Sequence, residues 1–257
     1  EGLADYIPVR HTNRNSVPQQ APISEEVLNT LSDITKTIKG ADLKWLVQKE
    51  DVKEIGKIIG ACDRIRLLNT KGHADFVQRE MRWTSEDAEH TKDGIDVMTL
   101  GLSRPQVTAL EILREPKVIQ FLHDINGGSL LAEATVRSID NSGAIGLITL
   151  PEISAMNYIN GGRAMEKVWL ASEKFGLAVH PVISPLYLFP RILQGNGDDL
   201  TQENIEELKA LRKRFKAAFG IEDALAEVFL FKVSYAPPMN KRAFRLPIQK
   251  VLFRNDS

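Results

Sequence analysis

Residues 143–150, GAIGLITL, restrict the fold more than any other stretch: the run is unbroken, apolar and bounded by turn-forming residues. A segment this short with no polar face reads as a strand covered on both sides. Such a strand needs partners within a sheet and a layer of helices on each face. Three other segments have strand character: DLKWLVQ at 42–48, which alternates, LAVHPVI at 177–183, and AEVFLFKVSY at 226–235. All four are expected in one sheet.

The intervening segments follow helical spacing. Ser24 with Glu25 and Glu26 reads as a cap and acidic first turn for a helix to about residue 38. Further helices are expected at 51–68, 72–83, 155–175, 185–194 and 201–219. Residues 104–140 read as mostly helical, broken at Pro116 and at Gly127-Gly128. The helix 155–175 carries a small-to-apolar stripe, Ala164, Met165, Val168, Ala171, Ser172 and Phe175, that assigns it to the core. Its expected stop is Gly176, and Gly161 and Gly162 are expected to let a second helix approach closely. Helices and strands alternate loosely, which predicts one α/β or α+β domain spanning 1–257.

With 33 basic and 34 acidic residues the net charge is −1, so nothing global attracts nucleic acid or an anionic membrane. Any anion recognition must be local. No apolar run approaches the roughly 18–20 residues of a membrane span. The chain opens on Glu1 without a signal pattern, which is compatible with a piece cut from a longer protein. Cys62 is the only cysteine, which excludes an intrachain disulfide and fits a reducing cytoplasm. Phosphate-loop, dinucleotide-turn, zinc-helix and nucleophile-elbow patterns are absent. Histidines 11, 73, 90, 123 and 180 are scattered without metal-ligand spacing, so no metal site is predicted.

Three features carry chemistry. VRHTNRNS at 9–16 places Arg10, His11, Thr12, Asn13 and Arg14 together. NGGRAMEKVWLASEKFGLAVHPVISP at 160–185 joins the small-faced helix to a strand ending in Pro181, Val182, Ile183 and Ser184. KRAFRLP at 241–247 adds Arg242 and Arg245 near the other end. In this order the three resemble the FMN-dependent nitroreductase superfamily. Arg10, His11, Thr12 and Arg14 match its R-[RH]-[ST]-x-[RK] box. GRAMEKVWLASEKFGLAVHP is similar to its helix-and-proline-strand unit, and FRLP to its S-R-x-P box at Arg245 and Pro247. RHTNR, FVQREMRWT and KDGID further resemble the C-terminal half of tandem nitroreductase-like proteins.

The resemblance implies an α+β fold with a central, mostly antiparallel sheet wrapped by helices, and FMN as cofactor. Guanidiniums make bidentate, charge-assisted bonds to phosphate. Arg10, Arg14 and Arg245 would converge on the phosphate and ribityl chain, with His11 and Thr12 as smaller contacts. Pro181, Val182, Ile183 and Ser184 would follow the polar edge of the ring. No catalytic side chain is nominated, because the flavin itself carries the hydride. The implied reaction passes hydride from NAD(P)H through FMN to a quinone-like or nitroaromatic acceptor. The implied assembly is a homodimer, or a pseudo-dimer with a second nitroreductase-like half. The family's A-P-S-x-x-N-x-Q-P-W segment has no counterpart here, and Ala243 stands where a lysine is common. The alternative is therefore a degenerate module of the same fold that binds flavin weakly or serves in pairing.

Overall fold

GAIGLITL lies inside a four-stranded sheet in a computed structural model describing residues 2–15, 17–18, 21–125 and 127–252. The strands are β1 (Asp42–Leu46), β2 (Met81–Arg82), β3 (Ile95–Asp96), β4 (Ala144–Leu150), β5 (Ala178–Pro181) and β6 (Ala226–Ser234). The main sheet runs β1-β4-β6-β5 and every pairing in it is antiparallel. All four expected strands are therefore in one sheet. The parallel pair β2–β3 stands apart from it.

The helices are α1 (Glu25–Lys36), α2 (Lys49–Leu68), α3 (Thr70–Ala74), α4 (Ser85–Thr91), α5 (Arg104–Ile112), α6 (Pro116–Asp124), α7 (Ser129–Asp140), α8 (Ala155–Lys174), α9 (Ser184–Leu193), α10 (Gln202–Phe219) and the short α11 (Ile248–Val251). Ser24 caps α1 as expected, its hydroxyl accepting from Val27 N. Pro116 opens α6, and Gly128 takes a left-handed conformation at the start of α7.

Side chains on a strand point alternately to opposite faces, and β4 supplies both cores. Ala144, Ile148 and Leu150 face α1 and α8, meeting Leu31, Ala164 and Val168. Ile145 and Leu147 face the other way, toward Ile55, Ile58 and Ile59 of α2, Phe189 of α9 and Phe215 of α10. The expected stripe on α8 is in the first core, with Met165 and Phe175 at its margin. The β4–β6 register shifts at Ile148/Thr149, so Val228 and Phe229 both turn toward α8. A bulge of this kind puts one extra residue in one strand.

Two glycines mark close approaches. A Cβ on Gly161 would fall 2.4 Å from Cγ1 of the bulged Val228. The glycine thus seats α8 on its own sheet, and this corrects the expectation of a helix–helix contact there; Gly162 has nothing within 4 Å. A Cβ on Gly60 would fall 2.7 Å from Ala132 O, so Gly60 lets α7 lie directly on α2.

The helix expected at 72–83 is shorter. α3 passes into a π-helical turn at Asp75–Glu80 and then into β2. Trp83 Nε1 donates to Val77 O at 2.9 Å, and Arg82 turns outward to Asp93 at 2.6 Å, which fixes an extended exit from the turn. Ser16 of VRHTNRNS and the end of the tail after Leu252 lie outside the described residues.

Candidate functional site

The segment carrying RHTNR is held along the free edge of β5. Asn13 is buried, its amide donates to Val179 O at 3.0 Å, and its side chain donates to Pro237 O at 2.9 Å. Asn15 Nδ2 reaches Pro237 O and Pro238 O from the same side. The N-terminal segment is therefore clamped between β5 and the loop that follows β6. Arg245 completes the clamp: one guanidinium nitrogen donates to Ile7 O at 2.9 Å and another to Arg10 O. Arg10 and Arg245 thus meet although more than 200 residues separate them.

Arg10 stacks over the Trp169 ring at 4.6 Å, and its Nε lies 3.2 Å from Glu166 Oε1. The contact is an ion pair without a hydrogen bond, and Nε is buried. The His11 amide donates to Glu173 Oε1 at 3.2 Å, and the ring Nδ1 lies 3.0 Å from Val9 O. His11 Nε2 is buried without a hydrogen bond. Trp169 Nε1 in turn donates to His11 O. Thr12 is half-buried between these anchors.

Arg14 points elsewhere. Four residues of extended chain span at most about 14 Å, and Arg14 uses that reach to pass to the face opposite α8. Its guanidinium donates to Thr99 O at 3.1 Å, and burial lowers its pKa from the ordinary value. There it lines a cleft of about 410 Å³ with Leu100, Gly101, Gln106, Arg137 and Ser138. The three arginines do not form one cluster; Arg10 and Arg245 meet near α8, and Arg14 stands across β5 from them.

Two groups beside Arg14 were not singled out from the sequence. The β5–β6 register places His180 opposite Lys232. Lys232 is 1% exposed, and its ammonium donates to Ser138 O at 3.0 Å and Ser138 Oγ at 2.7 Å. Burial brings the Lys232 pKa down from 10.5 to about 8. Burial first, then the charges of Lys232 and Arg14, hold the His180 imidazole well below its ordinary range, so the ring is neutral near pH 7. The sequence signal was a lysine in the middle of AEVFLFKVSY, a strand otherwise built for a core.

Beyond β5, Val182 N still donates to Leu230 O at 2.9 Å, so the backbone stays beside β6 until Ile183 turns into α9. Val182 is buried, and Ile183 faces outward. Ser184 Oγ is buried beside Asp63, whose carboxyl is raised by burial against the opposing hydrogen bonds of Thr135, at 2.6 Å, and of Ser184. A larger cleft of about 500 Å³ between α3, α6 and the start of α10 contains none of the expected site residues. Among the described residues no group of His, Cys, Asp and Glu is arranged to hold a metal.

The chain is similar to structures of the nitroreductase-like fold. One is a nitroreductase with bound FMN from Desulfitobacterium hafniense, 10% identical, covering 99% of this chain and 98% of its own, at TM-score 0.51. Another is oxidized iodotyrosine deiodinase bound to FMN and 3-iodo-L-tyrosine, 11% identical over the whole of both chains, also at 0.51. The fold of this chain is thus nitroreductase-like, an α+β architecture with a central antiparallel sheet. Among curated proteins, an uncharacterized protein of Mycobacterium tuberculosis is 29% identical over 235 residues, which is 90% of this chain. The chain spans 31% of that relative's length. No protein-family profile matches the chain.

Proposed function

We propose that the chain is an FMN-binding oxidoreductase domain that passes hydride from NAD(P)H to a quinone-like or nitroaromatic acceptor. One observation carries the reading. Six buried polar side-chain atoms among the described residues lack a hydrogen bond, and two of them, Arg10 Nε and His11 Nε2, are neighbours in RHTNR. Both lie on the segment 10–14 that the sequence resemblance assigns to flavin. Buried polar groups are normally satisfied, and a concentration of unpaired ones points to a missing ligand. The bound FMN of the two structures cited above supports the same reading.

Arg10, Arg245, His11 and Thr12 would hold the phosphate and ribityl chain, and Arg14 and the backbone of Pro181, Val182, Ile183 and Ser184 the ring. FMN, when bound, supplies the hydride chemistry; the protein binds, orients and keeps water out. The test is direct. Purified protein should carry visible flavin absorbance that NAD(P)H bleaches and the acceptor restores. Colourless protein that takes up no added FMN would end the proposal.

A second reading has its own observation. Glu166 and Trp169 already engage Arg10, and backbone carbonyls already engage Arg245. A module with its cations so occupied would bind flavin weakly and act in pairing. Flavin absorbance that NAD(P)H does not bleach would favour it.

Pairing is part of either proposal. At the start of α8, Met156 and Ile159 are 63% and 59% exposed, with Ile153 and Tyr158 beside them. An apolar face of this kind fits a second nitroreductase-like half or a second copy. For a homodimer, light scattering should give twice the 28.7 kDa of one chain. A single-chain mass would exclude the homodimer and leave the pseudo-dimer.

A further inference from the structure

We propose that the cleft bounded by Arg14, Arg137 and Ser138, with Lys232 behind Ser138, is a binding site for a small oxyanion, the carboxylate or phosphate of a ligand other than flavin. The inference rests on the flavin reading only through Arg14, which the two sites would share.

The charge in this cleft is uncompensated. Among the described residues, Arg14, Arg137 and Lys232 make no ion pair with any carboxylate. Elsewhere in the chain other buried or half-buried arginines have acidic partners: Arg212 has Glu227 at 2.9 Å and Arg64 has Glu207 at 2.7 Å. Lys232 is held by a hydroxyl and a carbonyl alone, and Arg14 by Thr99 alone. A buried cation without a carboxylate costs free energy unless something else compensates it.

The geometry gives the anion a place. Ser138 lines the cleft and is also the group that Lys232 grips, so the ammonium lies one hydroxyl from the cavity. Arg14 and Arg137 line the same cleft, and Gln106 and Asn141 add amide groups. The volume, about 410 Å³, accommodates a small organic acid or phosphate ester. His180 faces Lys232 with Nδ1 unpartnered, which leaves one further polar atom at the base of the cluster.

Isothermal titration of the purified chain with inorganic phosphate and, separately, with benzoate tests the site without flavin. Saturable binding of at least one is expected; phosphate alone would assign a phosphate group, and benzoate alone a carboxylate. Hydrogen bonds to a charged group contribute roughly 1.5–3 kcal/mol, so Lys232→Met and Arg137→Gln should each weaken that binding about ten-fold or more. Arg137 is exposed, and its replacement leaves the fold intact if Lys232→Met does not. FMN affinity should be unchanged in both variants. Absence of saturable binding of either anion would overturn the proposal, as would variants that bind like the wild type. Displacement of the anion by FMN, with FMN affinity lost in the same two variants, would also overturn it by assigning the cleft to the flavin. A chain that fails to bind FMN yet binds the anion would defeat the flavin reading and leave this one standing.

Discussion

Replacing Glu227 by Ala is expected to lower the unfolding free energy by about 3–5 kcal/mol. Glu227 and Arg212 have side chains only 8% and 7% exposed, paired at 2.9 Å through both carboxylate oxygens. Removing the acid leaves the guanidinium buried against the Phe189 ring, with only the exposed Asp223 at 3.7 Å in reach. Burial raises the Glu227 carboxyl above its ordinary pKa while Arg212 opposes that shift, so desolvation is the larger influence. A well-packed apolar replacement of both partners should therefore be tolerated far better than either single change. Urea denaturation of Glu227→Ala beside the double variant Arg212→Met/Glu227→Leu checks this. A single variant as stable as the wild type would show that Asp223 or water compensates Arg212.

The opposite sign is expected at Lys232. Its folded pKa is about 8 against an ordinary 10.5, so the folded state resists the charge that the unfolded chain accepts freely. Below about pH 8 the destabilisation is fully present; between about 8 and 10.5 the unfolded state binds more protons, and stability rises with pH until the effect is gone. The full shift corresponds to about 3 kcal/mol, and the two bonds of the ammonium to Ser138 offset part of it. Lys232→Met should thus be more stable than wild type at pH 7, by no more than about 3 kcal/mol, with the difference shrinking as pH approaches 10.5. Denaturation of both proteins at pH 7 and 10 reads the difference directly. A variant less stable than wild type at pH 7 would mean that the ammonium is compensated in the folded protein. A lysine retained against such a cost fits a residue kept for a ligand.

Sequence periodicity made the main sheet legible because its four strands are either apolar on both faces or cleanly alternating. The stripe on α8 was legible for the same reason, since an apolar face at helical spacing must be buried somewhere. Where Gly161 would be used was not legible. A small residue shows only that something comes close, and here that is Val228, which faces α8 because of a bulge that no local pattern announces. β2 and β3 are two residues each, too short for periodicity, and they depend on distant anchors such as Lys241, 2.8 Å from the buried Asp96. The meeting of Arg10 with Arg245 followed from the order of motifs. The turn that sends Arg14 to the other face did not, because it is set by Asn13 bonding to Val179 and Pro237.

The central claim is that RHTNR and the end of β5 hold FMN. Fluorescence titration of FMN into wild type, Arg10→Ala and Arg14→Ala tests it most directly. A charge-assisted hydrogen bond contributes roughly 1.5–3 kcal/mol, so each substitution should weaken binding about ten-fold or more. Arg10→Lys should recover only part of the loss, because an ammonium cannot reproduce the bidentate fork. Saturable quenching in wild type, weakened in both alanine variants, is the predicted result. Equal FMN affinity in all of them would contradict the account and make the segment an ordinary charged strap tied to Glu166, Trp169 and Thr99.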